Sequence, residues 1–571
     1  MEKFFKKIKK VLKNIYMLLL IIIVASCGKQ ASSNKTSITI LSTSDIHGKF
    51  LPYNYITDKE DRSGSLTQIS TLVNKLRNEN TLLIDLGDNI QGNFSETFIN
   101  DNIHPMVYAQ NLMHYDIHVI GNHDFDYGMD TVRKLINDQE GDVLCGNVFY
   151  ENGECIAKPY VIKEVDNVKI AIIGMTTQEI EKTYKNILQT ENIIVKNPVD
   201  EIKKVVSDIK DEVDVIVVVC HIGIKNANDI IKDSYVTAND IALSVPEVDL
   251  ILASHTHKKI DGVYEGNSLI VENSNAGKTL NCVVLDLEKN KDTYEIVNKK
   301  SVAYDTKDYE EDILISENEL IKNADKKAKE KAREVIARLN NEKLTPDNDV
   351  NGVPEARLRD TALTRLINDA LMYYADADIA TIPLYNDSAN LYRGDIRKCD
   401  LSLLYQYDNT LYKLSITGRQ LKKMMEENSI YFNQYKKEDL TISVDPEFNS
   451  NYYHIFGGLK YIIDISKDEG ERIVDLSLLN GEKIDFDKNY NIAVNNFSAE
   501  SFLLIEGEIF DKEDGLPILV EKDVRSDLGG IRELIYDYII NVKGKPGEDG
   551  VIELEVEDVD DTNANWKVVW G

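Results

Sequence analysis

From Ser37 to about Asp305, short apolar runs rich in β-branched residues alternate with stretches of helical spacing. Ser37–Ser42, Thr81–Asp85, Ile117–Ile120, Lys169–Ile173, Val215–Val219 and Val248–Leu252 are apolar enough to predict central strands buried on both faces. Ser65–Arg77 and Val199–Asp211, lying between them, predict helices. The alternation is that of an α/β domain. Ser316–Asn340 is highly charged and rich in helix formers, with Ser316 as N-cap and Glu319 three positions on, and predicts a linker helix. Its acids and bases are interspersed, as on a solvated face and unlike a nucleic-acid site. From about Glu342 the pattern is mixed: Asp360–Tyr374 and Thr417–Gln434 predict helices, and Leu411–Ile416, Leu459–Ile465 and Tyr490–Val494 predict strands. There is no internal repeat.

At 571 residues the chain is too long for one hydrophobic core, so at least two domains are expected. A composition of 43% hydrophobic and 29% charged residues suits folded domains. The first 26 residues carry six Lys and one Glu ahead of an apolar run, Met17–Val24, too short to span a bilayer stably; they predict an export signal. Val24-Ala25-Ser26-Cys27 resembles a bacterial lipobox, which implies that cleavage leaves Cys27 lipidated at the new N-terminus. An uncleaved signal anchor is the alternative, and both place the body outside the cytoplasm. Ser32, Ser33, Asn34 and Lys35 fit a polar tether.

The net charge of −31 becomes more negative once the Lys-rich segment is removed. Such a field repels DNA and RNA polymers, whereas a local cationic centre can still capture a small phosphate. Cys145, Cys155, Cys220, Cys282 and Cys399 are an odd set without CxxC spacing; a Cys145–Cys155 bridge is compatible with the sequence, and five separate thiols are expected.

The candidate chemistry sits just beyond the predicted strands: Asp45-Ile46-His47-Gly48, Gly87-Asp88-Asn89, Gly121-Asn122-His123-Asp124, His221 and Ser254-His255-Thr256-His257. In an open α/β sheet, segments beyond the carboxyl ends of strands converge on one site. Imidazoles, carboxylates and an amide oxygen suit Zn, Mn, Fe or Co, and the lack of cysteine disfavours a structural zinc site. Two ions roughly 3.5–4 Å apart can clamp a phosphoryl group, activate water and stabilise the departing oxygen. Of the nine histidines, His47, His221, His255 and His257 fall at strand ends and His123 lies beside Asn122. His104, His114, His118 and His454 lack such a setting and are expected to be structural.

In order and spacing, DIHG, GD, GNHD, an isolated His and SHTH resemble the calcineurin-like metallophosphoesterases over about residues 37–290. The resemblance implies an α+β sandwich-type catalytic domain with two divalent ions: one held by Asp45, His47, Asp88 and His257, the other by Asp88, Asn122, His221 and His255. Asp88 would bridge. Gly121-Asn122-His123-Asp124-Phe125-Asp126 resembles the nucleotidase GNHxFD run, implying that His123 meets the phosphate while Asp126 orients it and favours its charged form. Asp124 is expected to be structural.

The region from Arg357 resembles the C-terminal domain of 5′-nucleotidases, and more closely the 2′,3′-cyclic-nucleotide 2′-phosphodiesterase/3′-nucleotidase branch. Asn386-Asp387-Ser388-Ala389, Tyr405–Leu411 with Ile416-Thr417-Gly418, and Gly457–Tyr461 with Asn495-Asn496-Phe497 carry that likeness. It implies that Tyr407 and Phe497 sandwich the base and that Asn386 and Arg359 bind the substrate. Leu363-Thr364-Arg365-Leu366 departs from the family's Leu-Gly-Asn-Leu, its Gly-Gly-Ile-Arg loop is missing, and Ser498–Ser501 lacks the glycines that follow Asn-Asn-Phe. The expected organisation is a signal peptide (1–26), tether (27–36), catalytic domain (37–310), linker helix (311–341) and a mixed α/β nucleotide-binding domain (342–571). The expected function is extracytoplasmic hydrolysis of 2′,3′-cyclic nucleotides and 3′-nucleotides by a membrane-anchored lipoprotein. Its alternatives are a 5′-nucleotidase or UDP-sugar hydrolase and, in another class, a surface binding lipoprotein with a degenerate nucleotide site.

Overall fold

The computed structural model describes residues 34–225, 235–407 and 409–570; Cys27 and the signal-like segment before it lie outside them. Among the described residues, no helix is long and apolar enough to cross a membrane. The chain divides into two compact units, one comprising the chain up to Tyr53 with Glu60–Asp325, the other Asn54–Lys59 with Lys326 onward. The main division thus falls inside the segment expected to link the halves.

The strands of the two large sheets of the first unit are β1 (Lys35–Thr43), β2 (Thr81–Asp85), β3 (Ile117–Val119), β4 (Asp142–Leu144), β5 (Tyr160–Val165), β6 (Val168–Thr176), β7 (Val215–His221), β8 (Leu250–Ala253), β9 (Ile260–Glu265), β10 (Ser268–Glu272), β11 (Thr279–Asn290) and β12 (Thr293–Asp305). They form two six-stranded sheets, ordered β12-β11-β1-β2-β3-β4 and β9-β10-β8-β7-β6-β5. Within the first, β1 to β4 run parallel; within the second, β6, β7, β8 and β10 do. Ile38, Ile40 and Ile84 of the first sheet share one core with Ile172, Val217 and Leu252 of the second, so the sheets pack face to face. The opposite face of the second sheet, including Ile173, Val218 and Ile251, packs with Val199, Ile202 and Val206 of helix Pro198–Ile209. Burial on both sides explains the unbroken apolar runs.

The helix expected over Ser65–Arg77 spans Leu66–Leu76, capped by Ser65 Oγ, which accepts from Gln68 N at 3.2 Å. The segment expected to be helical to Asn340 behaves differently. Its helix covers Glu319–Ala332 and is followed by a strand, Val335–Lys343. Asn318 Oδ1, not Ser316, accepts from Leu320 N at 2.9 Å, and Ser316 closes a preceding turn, Ile313–Ser316. Beyond Ala332, pairing with Tyr392–Arg397 and burial of Ile336, Leu339 and Asn341 override local helix preference.

In the second unit, a five-stranded sheet runs His454–Gly457, Ile379–Pro383, Asn489–Asn495, Leu411–Thr417, Ile518–Glu521. Helix Ala362–Ala375 contributes Leu363, Leu366 and Ile367 to a core shared with Ile379, Leu414 and Ile492. The cysteines at 145, 155, 220, 282 and 399 are all free.

Candidate metal centre

The candidate ligands leave both sheets at the same end of the sandwich. Asp45 follows β1, Asp88 follows β2, Asn122 follows β3, His221 ends β7, and His255 and His257 follow β8. The turns are held together by backbone hydrogen bonds: Asp45 N donates to Gly87 O at 2.9 Å, His47 N to Asp88 O at 3.0 Å and Gly48 N to Asn89 O at 2.8 Å. Asp45, His47, Asp88, His255 and His257 all have left-handed backbone, with φ of 52°, 49°, 58°, 81° and 59°. Such conformations cost energy in residues with a Cβ and cluster at functional sites.

Two sets of donor atoms lie within 4.8 Å of one another: Asp45, His47 and His257, and Asp45, Asp88 and His221. Asp45 Oδ1 is 3.3 Å from His257 Nε2 and 3.8 Å from His221 Nε2, which is 3.0 Å from Asp88 Oδ2. His47 Nε2 is 3.3 Å from His257 Nε2, and His255 Nδ1 is 3.0 Å from Asn122 Oδ1. Five of the seven expected ligands fall in these two sets, Asp45 being the carboxylate common to both, and the other two, His255 and Asn122, lie against each other.

Surrounding groups fix the rings. Leu86 O lies 2.7 Å from His221 Nδ1 and Gln91 Oε1 2.9 Å from His47 Nδ1, so each ring donates there and turns Nε2 inward. His255 Nε2 lies 2.9 Å from Glu179 Oε2. Glu272 accepts from Thr256 Oγ1 and, at 3.1 Å, from Thr256 N, holding the turn between His255 and His257; burial pushes its carboxyl up to about 7. The sequence carries no distinguishing signal for Gln91, Glu179 or Glu272. Asp124 is structural, as expected: its Oδ2 accepts from Gly121 N at 2.8 Å and from Asp88 N at 3.4 Å, and burial, reinforced by Asp88, raises its carboxyl to about 7.

His123 Nδ1 is 3.0 Å from Asp126 Oδ2, and Tyr184 OH donates to Asp126 Oδ1. Of the other histidines, His104 caps Pro105–Leu112 by accepting from Met106 N at 3.2 Å, His118 and His454 are buried, and His114, expected to be structural, is exposed.

Without metal, the electrostatics are those of buried opposed charges. Burial pushes Asp45 up, but His257 and His221 hold it at about 2. Burial drives His47 down to about 4. For His221 burial acts downward too, but the Asp88 and Asp45 carboxylates outweigh it, giving about 10. Asp45 Oδ1 and His221 Nε2 are buried in ion-pair contacts with no well-aligned hydrogen bond. Holding the Asp45 and Asp88 carboxylates together out of water is costly, and a cation between them removes that cost. The residues fit a divalent metal centre.

In the second unit Tyr407 and Phe497 are 46% and 41% exposed, so neither is a core ring. The Tyr407 ring centroid is 4.6 Å from that of Tyr385, whose hydroxyl accepts from Asn495 Nδ2 at 3.0 Å. Phe497 lies 6.2 Å from Tyr452 and 5.8 Å from Phe502, and Tyr452 lies 4.9 Å from Phe502. Tyr385, Tyr452 and Phe502 were not anticipated, since aromatic residues are common in the chain. Asn386 is engaged within its turn, donating to Leu403 O at 3.1 Å and accepting from Ser388 N at 3.0 Å. Arg359 is paired with Glu355 at 2.6 Å and Asp561 at 3.4 Å.

Residues 38–259 match the family model of the calcineurin-like phosphoesterases, and residues 335–503 that of the 5′-nucleotidase C-terminal domain. With the donor constellation, these matches define a metal-dependent phosphoester hydrolase of the calcineurin-like class. Its two-domain plan is a calcineurin-like metallophosphoesterase domain followed by a 5′-nucleotidase C-terminal domain. It is 26% identical to the trifunctional nucleotide phosphoesterase protein YfkN of Bacillus subtilis over 90% of this chain, but spans only 38% of that protein's length. It is 24% identical to the 2′,3′-cyclic-nucleotide 2′-phosphodiesterase/3′-nucleotidase of Salmonella typhimurium, over 82% of each chain. Among solved structures, a Staphylococcus aureus protein provisionally assigned as a 5′-nucleotidase superposes with a TM-score of 0.73 at 21% identity, covering 94% of this chain and 100% of that one.

Proposed function

We propose that this protein hydrolyses 2′,3′-cyclic nucleotides and 3′-nucleotides outside the cytoplasm, releasing nucleoside and phosphate. The observation that carries the reading is the convergence of five turns from two sheets on the buried pair Asp45 and Asp88. The likeness to the Salmonella phosphodiesterase/3′-nucleotidase, over 82% of each chain, favours this substrate class. In our assignment Asp45, His47, Asp88 and His257 hold one ion and Asp88, Asn122, His221 and His255 the other, the metals being drawn from Zn, Mn, Fe and Co. Bound there, divalent ions supply charge neutralisation of the phosphate and lower the pKa of the attacking water.

The protein's own groups do the rest. His123, with Nδ1 engaged by Asp126, meets a phosphate oxygen through Nε2 and stabilises the charge that grows as the P–O bond to the sugar breaks. For a cyclic substrate, water adds to phosphorus, the bond to the 2′ oxygen breaks and that oxygen takes a proton; a second hydrolysis releases phosphate from the 3′ oxygen. Tyr407 and Phe497 offer exposed ring faces to the base, a recognition tolerant of base identity. Arg359 reaches substrate only by exchanging Glu355 for it, and Asn386 acts by shaping the turn beside Tyr385. Residues 1–26 direct export, Cys27 carries the lipid, and residues 27–36 tether the body to the membrane.

Assaying residues 28–571 with Mn or Zn against 2′,3′-cyclic AMP, 3′-AMP, 5′-AMP and UDP-glucose tests the reading. Turnover of the first two is expected; equal or faster turnover of 5′-AMP or UDP-glucose would place the protein with the 5′-nucleotidases or sugar-nucleotide hydrolases instead.

A further inference from the structure

The segment Thr177–Tyr184 follows β6, whose carboxyl end faces the same rim as the candidate ligands, yet it supplies none of them. It is firmly anchored. Ile180 is fully buried in a cluster with Phe125, Met129 and Val132, the Tyr184 ring lies 6.0 Å from that of Phe125, and Glu179 N donates to Thr177 Oγ1 at 3.2 Å. From this base Glu179 Oε2 reaches to 2.9 Å from His255 Nε2.

His255 thus meets an oxygen at each ring nitrogen: Glu179 at Nε2 and Asn122 Oδ1 at Nδ1, 3.0 Å away. A neutral imidazole carries one N–H and one lone pair. A carboxylate can only accept, so it selects Nε2 for the proton. That leaves the lone pair of Nδ1 facing another acceptor, an arrangement relieved by a cation between them. Histidine ligands are commonly held this way, with the distal N–H given to a carboxylate. Five residues on, Tyr184 donates to Asp126, which engages His123 Nδ1, so one short segment orients both histidines.

We propose that Glu179 is a positioning residue: by accepting Nε2–H of His255 it presents Nδ1, together with Asn122 Oδ1, to one divalent cation. The inference rests on the metal-centre reading above. Titration of the full chain with Mn²⁺, followed by loss of the free-ion EPR signal, tests it in Glu179→Ala, Glu179→Gln and His255→Ala. The wild type is expected to bind two ions. Glu179→Ala keeps one at wild-type affinity and weakens the other by about 10–100-fold. Glu179→Gln, whose amide oxygen can still accept Nε2–H, falls between, and His255→Ala loses that ion. Melting temperature in EDTA separates this from unfolding; if Glu179→Ala melts early, the isosteric Glu179→Gln carries the test. Wild-type affinities in both Glu179 variants would overturn the proposal, as would a loss in Glu179→Ala as complete as in His255→Ala, which would make Glu179 a ligand. A wild-type chain that binds no Mn²⁺ would overturn the metal-centre reading itself.

Discussion

His123 and the metal-holding groups should separate cleanly in mutants, because His123 stands against Asp126 and not within either tight donor set. His123→Ala is expected to lower kcat by about 10²–10³, the usual cost of removing a donor to a developing oxyanion, with bound metal unchanged. Metal analysis alongside steady-state kinetics checks this, and loss of metal would place His123 among the ligands. His221 gives a pH signature. Without metal its imidazole is raised from 6.5 to about 10, so its contribution to stability is full below about pH 6.5 and is lost as pH rises through about 10. In EDTA the melting temperature should fall across that window. Metal must displace the same proton, so the Mn²⁺-induced rise in melting temperature should be larger at pH 8.5 than at pH 6.5. The His, Asp and Asn donors were legible because a metal centre requires those residue types. Glu179, Gln91 and Tyr184 were not, since a lone polar residue in a loop looks the same whether it faces water or braces a histidine.

Strand ends and the turns after them decide whether those donors meet. Gly121 lies against the Asp88 turn so closely that a Cβ there would sit 2.1 Å from Asp88 Oδ1 and 2.7 Å from Asp88 N. Gly121→Ala should therefore displace Asp88, cost about 1–3 kcal/mol of stability and remove measurable phosphodiesterase activity. Thermal unfolding and an activity assay check it; a variant with full activity would show that the turn yields without moving the carboxylate. Six inner strands of the first unit, β1, β2, β3, β6, β7 and β8, were legible from their apolar runs, and the helices Leu66–Leu76 and Pro198–Ile209 from their spacing; the outer strands β5, β9 and β12, which bury one face or less, were not. The overrun past Ala332 was not avoidable from local pattern. Val335–Lys343 contains Ala, Arg and Leu, which suit a helix, and only pairing with Tyr392–Arg397, more than fifty residues on, makes it a strand.

For the molecule as a whole, an apolar strand reveals that both its faces are covered but not by what. An open sheet flanked by helices and two sheets pressed together give similar runs, and the sandwich was expected only through the family resemblance. The proposed role of the two rings has a direct consequence. Tyr407→Ala and Phe497→Ala should each reduce kcat/KM for 3′-AMP by about 1–3 kcal/mol, the worth of one stacked base. Hydrolysis of p-nitrophenyl phosphate, which has no base to stack, should be unaffected, and an equal loss on both substrates would mean that the rings support the fold. The central claim concerns the rim where the two sheets end. Crystals grown with Mn²⁺ and measured at the manganese absorption edge test it most directly. Two anomalous peaks roughly 3.5–4 Å apart, each within coordinating distance of Asp45 or Asp88, are expected. No peak at that rim, or a peak elsewhere with the rim empty at saturating Mn²⁺, would contradict it.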